Sequence, residues 1–203
     1  MTGYIGFNLK EMIEQLGENE VKRILSEFSC PLNADVENFL KQNAITFSKQ
    51  GISSTYIVMA SYKDKYVVVG YYTLANKIFC IDRKSFPSNT WRRRITKFAQ
   101  YDSTIKRYTL SAPLIAQLGK NFTNSYNTLI TGDELLKLAL DKVEKMQSIV
   151  GGKIVYLECE DKERLIDFYS ENGFVNFGKR MLDKDETSTL SGEYLIQMLK
   201  YMK

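Results

Sequence analysis

The stretch Thr131-Gly132-Asp133-Glu134 has the residue types and spacing that most directly suggest chemistry. The Thr131 hydroxyl can accept from the Glu134 amide while the Glu134 carboxylate reaches back to residue 131, forming a capping box that opens a helix. Ahead of it runs a polar loop, GKNFTNSYNTLI, from Gly119 to Ile130. A strand end, a glycine-bearing loop and a freshly capped helix turn several backbone N–H groups outward together, at the positive end of a helix dipole. Such a place suits a diphosphate. Other chemistries are excluded: with no histidine among its 203 residues, the chain has neither a Ser-His-Asp triad nor a His-ligated zinc site. Its three cysteines lack CxxC spacing and read as reduced thiols.

Around that turn the hydrophobic pattern predicts a frame. Tyr108 to Leu118 is apolar and partly β-branched, as a buried central strand should be, and leucines and alanines at helical spacing follow Glu134 up to Gly151-Gly152. Lys153 to Cys159 is a second apolar strand, Asp161 to Asn172 a helix ended by Gly173, and Phe174 to Met181 and Tyr194 to Met202 a closing antiparallel pair joined through the charged loop Asp183 to Glu186. Upstream, Asn8 starts a helix that Gly17 stops, and a second short helix carries Val21, Ile24, Leu25 and Phe28 on one face. This helical pair either docks on its own domain or serves as a partner-binding arm. Asn33 caps a longer helix closed by Gly51; Thr55 to Tyr62 and Tyr66 to Leu74 form a hairpin across Lys63-Asp64-Lys65, and a turn at Asn76-Lys77 leads into a third strand, Ile78 to Asp82. Gly70, inside the second strand, marks either a bulge or close packing, or else room for a ligand chain.

Composition limits the rest. An apolar content of 44% over this length supports one sizeable core. The net charge is only +4, but from Asp82 to Arg107 it is concentrated: Arg83, Lys84, Arg92, Arg93, Arg94, Lys97, Lys106 and Arg107 face only Asp82 and Asp102, giving this segment +6 and the remainder −2. Trp91, Phe98 and Tyr101 interleave with those cations as in surfaces that grip RNA. The same spacing, with Ile95, Phe98 and Ala99 following Trp91, equally describes an amphipathic helix with a solvated basic face. The sequence shows no signal peptide and no apolar run of membrane-spanning length, so a cytoplasmic protein without a membrane partner is expected.

The element order, with Asp161-Lys-Glu-Arg-Leu-Ile-Asp-Phe168-Tyr169-Ser-Glu-Asn-Gly173-Phe174 as its most specific piece, resembles the GNAT superfamily of acyl-CoA-dependent N-acetyltransferases. In that family the Phe-Tyr-x-x-x-Gly-Phe ending recurs: the aromatic pair packs a helix on the sheet and the glycine permits the abrupt turn into the next strand. The resemblance implies an α/β (α+β mixed sheet) fold with a splayed central sheet flanked by helices, residues 33–203 forming the acetyltransferase domain and residues 1–32 an added helical element. The family's glycine motif is altered: this chain reads Asn127-Thr-Leu-Ile130-Thr-Gly132, and Ile130 stands in place of a glycine, where its side chain crowds a pyrophosphate unless the longer loop reshapes the approach. Lys162 replaces the usual asparagine early in the last helix.

What the resemblance implies for function is acetyl-CoA as donor, with no metal. The pantetheine arm follows the backbone of Leu118, Gly119 and Lys120, and the diphosphate rests on the amides around Asn127, Ile130, Thr131, Gly132 and Asp133. Tyr169 matches the tyrosine that protonates the departing thiolate, or else is only a packing aromatic, and Glu158 is a candidate base draining a proton through water. The acceptor is an amine. Asp35 to Ala44, Ser54 to Tyr56 and Val69 to Ala75 also look like parts of GNAT toxins that acetylate aminoacyl-tRNA, so tRNA bound through residues 83–107 is a second possibility. A third is a non-catalytic acyl-CoA- or RNA-binding module on the same scaffold. A monomer or homodimer is expected.

Overall fold

The computed structural model describes residues 3–184, 186–187, 190 and 192–202; Asp185 of the expected 183–186 loop lies outside the described residues. The fold is mixed α/β, an open sheet flanked by helices, with one parallel strand pair among antiparallel ones. Two compact units divide the chain, Met1–Ala75 with Ala116–Leu140 and Asn76–Ile115 with Asp141–Lys203.

In the first unit, β1 (Ile5–Asn8) pairs antiparallel with β2 (Ser54–Tyr62), a strand absent from the sequence expectation. Helices α1 (Leu9–Leu16) and α2 (Glu18–Ser26) follow, with Asn8 capping the amides of Lys10 and Glu11 and Gly17 taking φ 80° at the junction. Their apolar faces supply Leu9, Met12, Val21 and Leu25, joined by Phe28 just after α2, to a core shared with Val36, Leu40, Ile57 and Tyr71, so the helical pair docks on its own unit. Asn33 caps the next segment as expected, but it is broken by a π turn at Phe39–Asn43 between α3 (Ala34–Asn38) and α4 (Ala44–Gln50). Lys63 and Asp64 both have positive φ (49° and 61°), the geometry of a two-residue hairpin turn between β2 and β3 (Lys65–Asp82).

Strand β3 runs without interruption from Lys65 to Asp82, so Asn76-Lys77 is no turn and the third strand is its continuation. At Gly70 the register with β2 shifts, and a Cβ there would meet the Gly119 carbonyl oxygen at 2.8 Å and Leu135 at 3.1 Å. Bulge and close packing together account for that glycine.

In the second unit, α5 (Asn89–Ile95) is capped by Ser88 and ends before Phe98, which is exposed; the short strand β4 (Gln100–Asp102) then pairs with β5 (Arg107–Lys120). Among the described residues, parallel pairing of β5 with β6 (Ile154–Glu160) is confined to Leu114 with Tyr156 and Ile115 with Leu157, directly after Pro113, which has no N–H to donate. Helix α6 (Gly132–Val150) connects them. After α7 (Glu163–Glu171), β7 (Val175–Met181) forms the edge, and β8 (Tyr194–Tyr201) inserts between β6 and β7, antiparallel to both.

Candidate functional site

The turn after β5 is built largely by side chains binding backbone. Asn121, 2% exposed, takes its place first: its amide donates to the Val69 carbonyl, its Nδ2 to the Val68 carbonyl, and its Oδ1 accepts the amides of Ser29 and Thr123 at 3.0 and 3.1 Å. Sequence reasoning missed it, although an asparagine at a strand end is a residue that bonds backbone readily. Asn124 and Ser125 then adopt left-handed φ values of 50° and 62°, each costing on the order of 1 kcal/mol. Gly119 is buried; a Cβ on it would overlap Val36 Cγ1 and touch Tyr71 and Phe28 at ordinary contact distance. It is therefore a packing glycine, and Leu118 beside it is half-buried.

Lys120 turns inward along the loop. Its Nζ donates to the carbonyls of Asn127 at 2.9 Å and Ile130 at 3.1 Å. A trans peptide sets N–H opposite C=O, so holding the Asn127 carbonyl toward Lys120 directs the Thr128 amide the other way. The expected capping box is present: Thr131 N–H donates to Glu134 Oε2 at 2.8 Å, the Thr131 hydroxyl to the same oxygen at 2.9 Å, and the Glu134 amide to Thr131 Oγ1 at 3.1 Å. Those bonds from Thr131, its amide first, hold the Glu134 carboxyl below the ordinary carboxylate range. The Thr131 amide is thus occupied by a side chain of the turn, and the Gly132 amide lies between the two that the box uses. Ile130 is 2% exposed, so its methyl groups pack inward and do not project from the turn. Asp133 is exposed.

Tyr169 and Glu158 belong to the second unit, where β6 keeps them apart. The Tyr169 ring packs in α7 against Phe168 and Phe174, at centroid separations of 5.0 and 5.8 Å. Burial, and secondarily the Cys159 thiol, push its phenol pKa well above the usual value, so it stays a proton donor. Burial likewise pushes the Cys159 thiol up to about 12, too high for a nucleophilic thiolate. Successive strand residues point to opposite faces. Tyr169 meets the Cys159 face; Glu158 therefore points to the other.

On that other face Glu158 is fully engaged. Arg180 Nε donates to its Oε2 and Gln197 Nε2 to its Oε1, both at 2.9 Å, and Arg180 also makes a bidentate pair with Glu186 at 2.9 and 2.8 Å. Glu158, Arg180 and Gln197 line a cavity of about 370 Å³ together with Phe79, Tyr156 and Phe177. The buried Tyr156 hydroxyl has no hydrogen-bond partner among the described residues. Alternation along KIVYLEC already places Tyr156 with Glu158 on one face, but Arg180 and Gln197 join them only through strand pairing.

The basic segment is largely solvent-facing: Arg83, Lys84, Arg93, Arg94, Lys97 and Lys106 are exposed, while Trp91 and Arg92 are half-buried. Arg107 pairs with Asp82 at 3.0 Å, and Arg94 lies 5.1 Å from the Tyr201 ring centroid. Among the described residues no group of potential metal ligands comes together, and no helix is long and apolar enough to cross a membrane.

No protein-family profile matches the sequence, and no curated protein matches it significantly. Solved structures do match the fold. AtaT complexed with acetyl-methionyl-tRNAfMet superposes with a TM-score of 0.62 at 18% identity, covering 96% of this chain and 94% of that one. A tyrosine-to-phenylalanine mutant of KacT gives 0.60 at 16% identity, covering 97% and 94%. A mutant AtaT toxin bound to the C-terminus of the antitoxin AtaR and acetyl-CoA gives 0.56 at 17%, covering 87% and 84%.

Proposed function

We propose that the chain is an N-acetyltransferase that moves an acetyl group from acetyl-CoA to a primary amine by direct attack. The observation that carries this reading is the turn from Lys120 to Glu134, whose Asn127 and Ile130 carbonyls are held by Lys120 and whose Gly132 amide opens α6, where the first N–H groups of a helix have no intrahelical partner. Its support from outside the chain is a fold shared over nearly all of both chains with AtaT, one of whose structures contains acetyl-CoA. With Ile130 packed inward, the substitution of the family's glycine leaves the turn compatible with a diphosphate.

Acetyl-CoA supplies an already activated thioester. The work left to this chain is to bind the donor, to hold it near an unprotonated amine so that attack becomes effectively intramolecular, and to deliver a proton to the leaving sulfur. Tyr169, kept protonated by burial, has the character required for the last task. Glu158, the candidate base, would act from within its bonds to Arg180 and Gln197. The test is thiol release from acetyl-CoA against a panel of amines, with the acetylated product identified by mass. Absence of turnover with every amine, together with binding of coenzyme A, would favour a non-catalytic module; absence of binding as well would sink the reading.

A second reading makes the amine that of an aminoacyl-tRNA. It is favoured by the exposed cations of residues 83–106 and by likeness to AtaT, whose complex contains an acetylated aminoacyl-tRNA. Acetylation of charged tRNA should then fall steeply with salt, while acetylation of a small amine should not. Replacing Arg93 and Lys97 by alanine should shallow that salt dependence; an unchanged slope would remove RNA as the partner of this segment.

A further inference from the structure

The donor turn is also held from the start of the chain. Tyr4 is half-buried directly before β1, and its hydroxyl donates to the Leu129 carbonyl at 3.0 Å, across 125 positions of sequence. The Glu134 carboxylate lies near the same phenol, which adds to the pull of Thr131 on that group. Strand pairing fixes where Tyr4 sits, because Ile5 registers with Met59 and Asn8 with Tyr56, and Asn8 both caps α1 and donates to Ser54 Oγ at 3.2 Å. With Lys120 on the Asn127 and Ile130 carbonyls and Tyr4 on that of Leu129, carbonyls along the turn are drawn to side-chain donors. Peptide planarity then sets the Ile130 amide away from Tyr4, just as it sets the Thr128 amide away from Lys120.

We infer that Tyr4 is a positioning residue of the acyl-donor turn: its hydroxyl fixes the orientation of the 129–130 peptide and so the affinity for the donor's diphosphate. This rests on the donor reading of the turn. Tyr4→Phe keeps the ring and removes only the hydroxyl. Binding of acetyl-CoA and coenzyme A to the full chain, steady-state kinetics with the best amine, and hydrogen–deuterium exchange of residues 128–134 would be measured for wild type and variant. A lost hydrogen bond of ordinary net strength corresponds to a five- to tenfold change, roughly, in equilibrium constant. The dissociation constant and the KM for acetyl-CoA should rise by about that factor with kcat within about twofold, and exchange should quicken at the turn while that of β6 and β8 stays the same. A structural role alone would lower stability without splitting KM from kcat. Wild-type protein without affinity for either ligand overturns the donor reading and this inference with it. Wild-type affinity retained unchanged in Tyr4→Phe overturns this inference alone.

Discussion

In the turn from Lys120 to Glu134, side chains hold backbone; on the Glu158 face of β6, side chains hold one another. Lys120 takes two carbonyls and Glu134 takes the Thr131 amide, and every such bond fixes a peptide plane whose other edge is then presented in a set direction. Glu158, Arg180, Gln197 and Glu186 instead satisfy each other's donors and acceptors. The first arrangement fixes the direction of polar backbone groups, whereas the second engages its charged groups with one another. The contrast teaches that an acidic residue on an apolar strand can be bound up with its neighbours, and that a polar loop can be well braced.

The sharpest way to break this comparison is at the group that neither network uses. Tyr169→Phe should lower kcat by about a hundredfold or more, within the range of general-acid effects, with donor affinity unchanged. An unaltered rate would remove the phenol from the reaction. Because burial raises its pKa, the phenol stays protonated to higher pH than a free tyrosine, so wild-type turnover should show no loss from its ionisation until well beyond the ordinary tyrosine range of about 10.

Next comes the packing beneath the turn. Gly119→Ala forces a methyl into Val36, a branched and buried neighbour, and should cost about 2–3 kcal/mol, seen as a melting temperature lowered by roughly 5–10 °C. An unchanged melt would mean that the helix carrying Val36 yields easily, and that Gly119 is there for the ligand.

Smaller still is the effect expected at Glu158. Glu158→Gln should leave turnover within about twofold while lowering stability by about 1–2 kcal/mol, because Arg180 loses one carboxylate and keeps Glu186. A hundredfold loss of rate would make Glu158 the base and erase the distinction between the two regions.

The smallest effect is the acid response of the capping box. The folded-state pKa of Glu134 is depressed, so its stabilisation is complete above the ordinary carboxylate range and fades as pH falls through the depressed value. Glu134→Gln should flatten the acid limb of the melting-temperature profile slightly; an identical limb would show that the box does not hold the turn.

Local signals carried much of the fold. The capping box at Thr131, the Asn8 and Asn33 caps, the Gly17 and Gly51 stops and the Lys63-Asp64 turn each depend on residues a few positions apart, and each was legible. The failures came where a short-range signal met a long-range partner. Asn76-Lys77 has turn-forming residues, yet β3 continues through it, with Asn76 and Cys80 each in side-chain contact with β5, at Ser111 and Thr109. The Trp91 to Ala99 pattern suggested a full helix, but α5 stops at Ile95 and β4 begins at Gln100 to pair with β5.

By itself the sequence determined the capped turn after β5, the aromatic pair and glycine that end α7, the concentration of positive charge in residues 82–107 and the lack of any histidine chemistry, because composition and near-neighbour spacing suffice for all of these. Only the tertiary structure decided that Ile130 packs inward, that Gly119 packs against Val36, that β8 separates β6 from β7, that Glu158 pairs with Arg180 on the face away from Tyr169, and that a tyrosine four residues into the chain braces a turn near position 130. Each of those depends on which distant residue arrives at a given face. Strand pairing and burial settle that, and no local pattern encodes it.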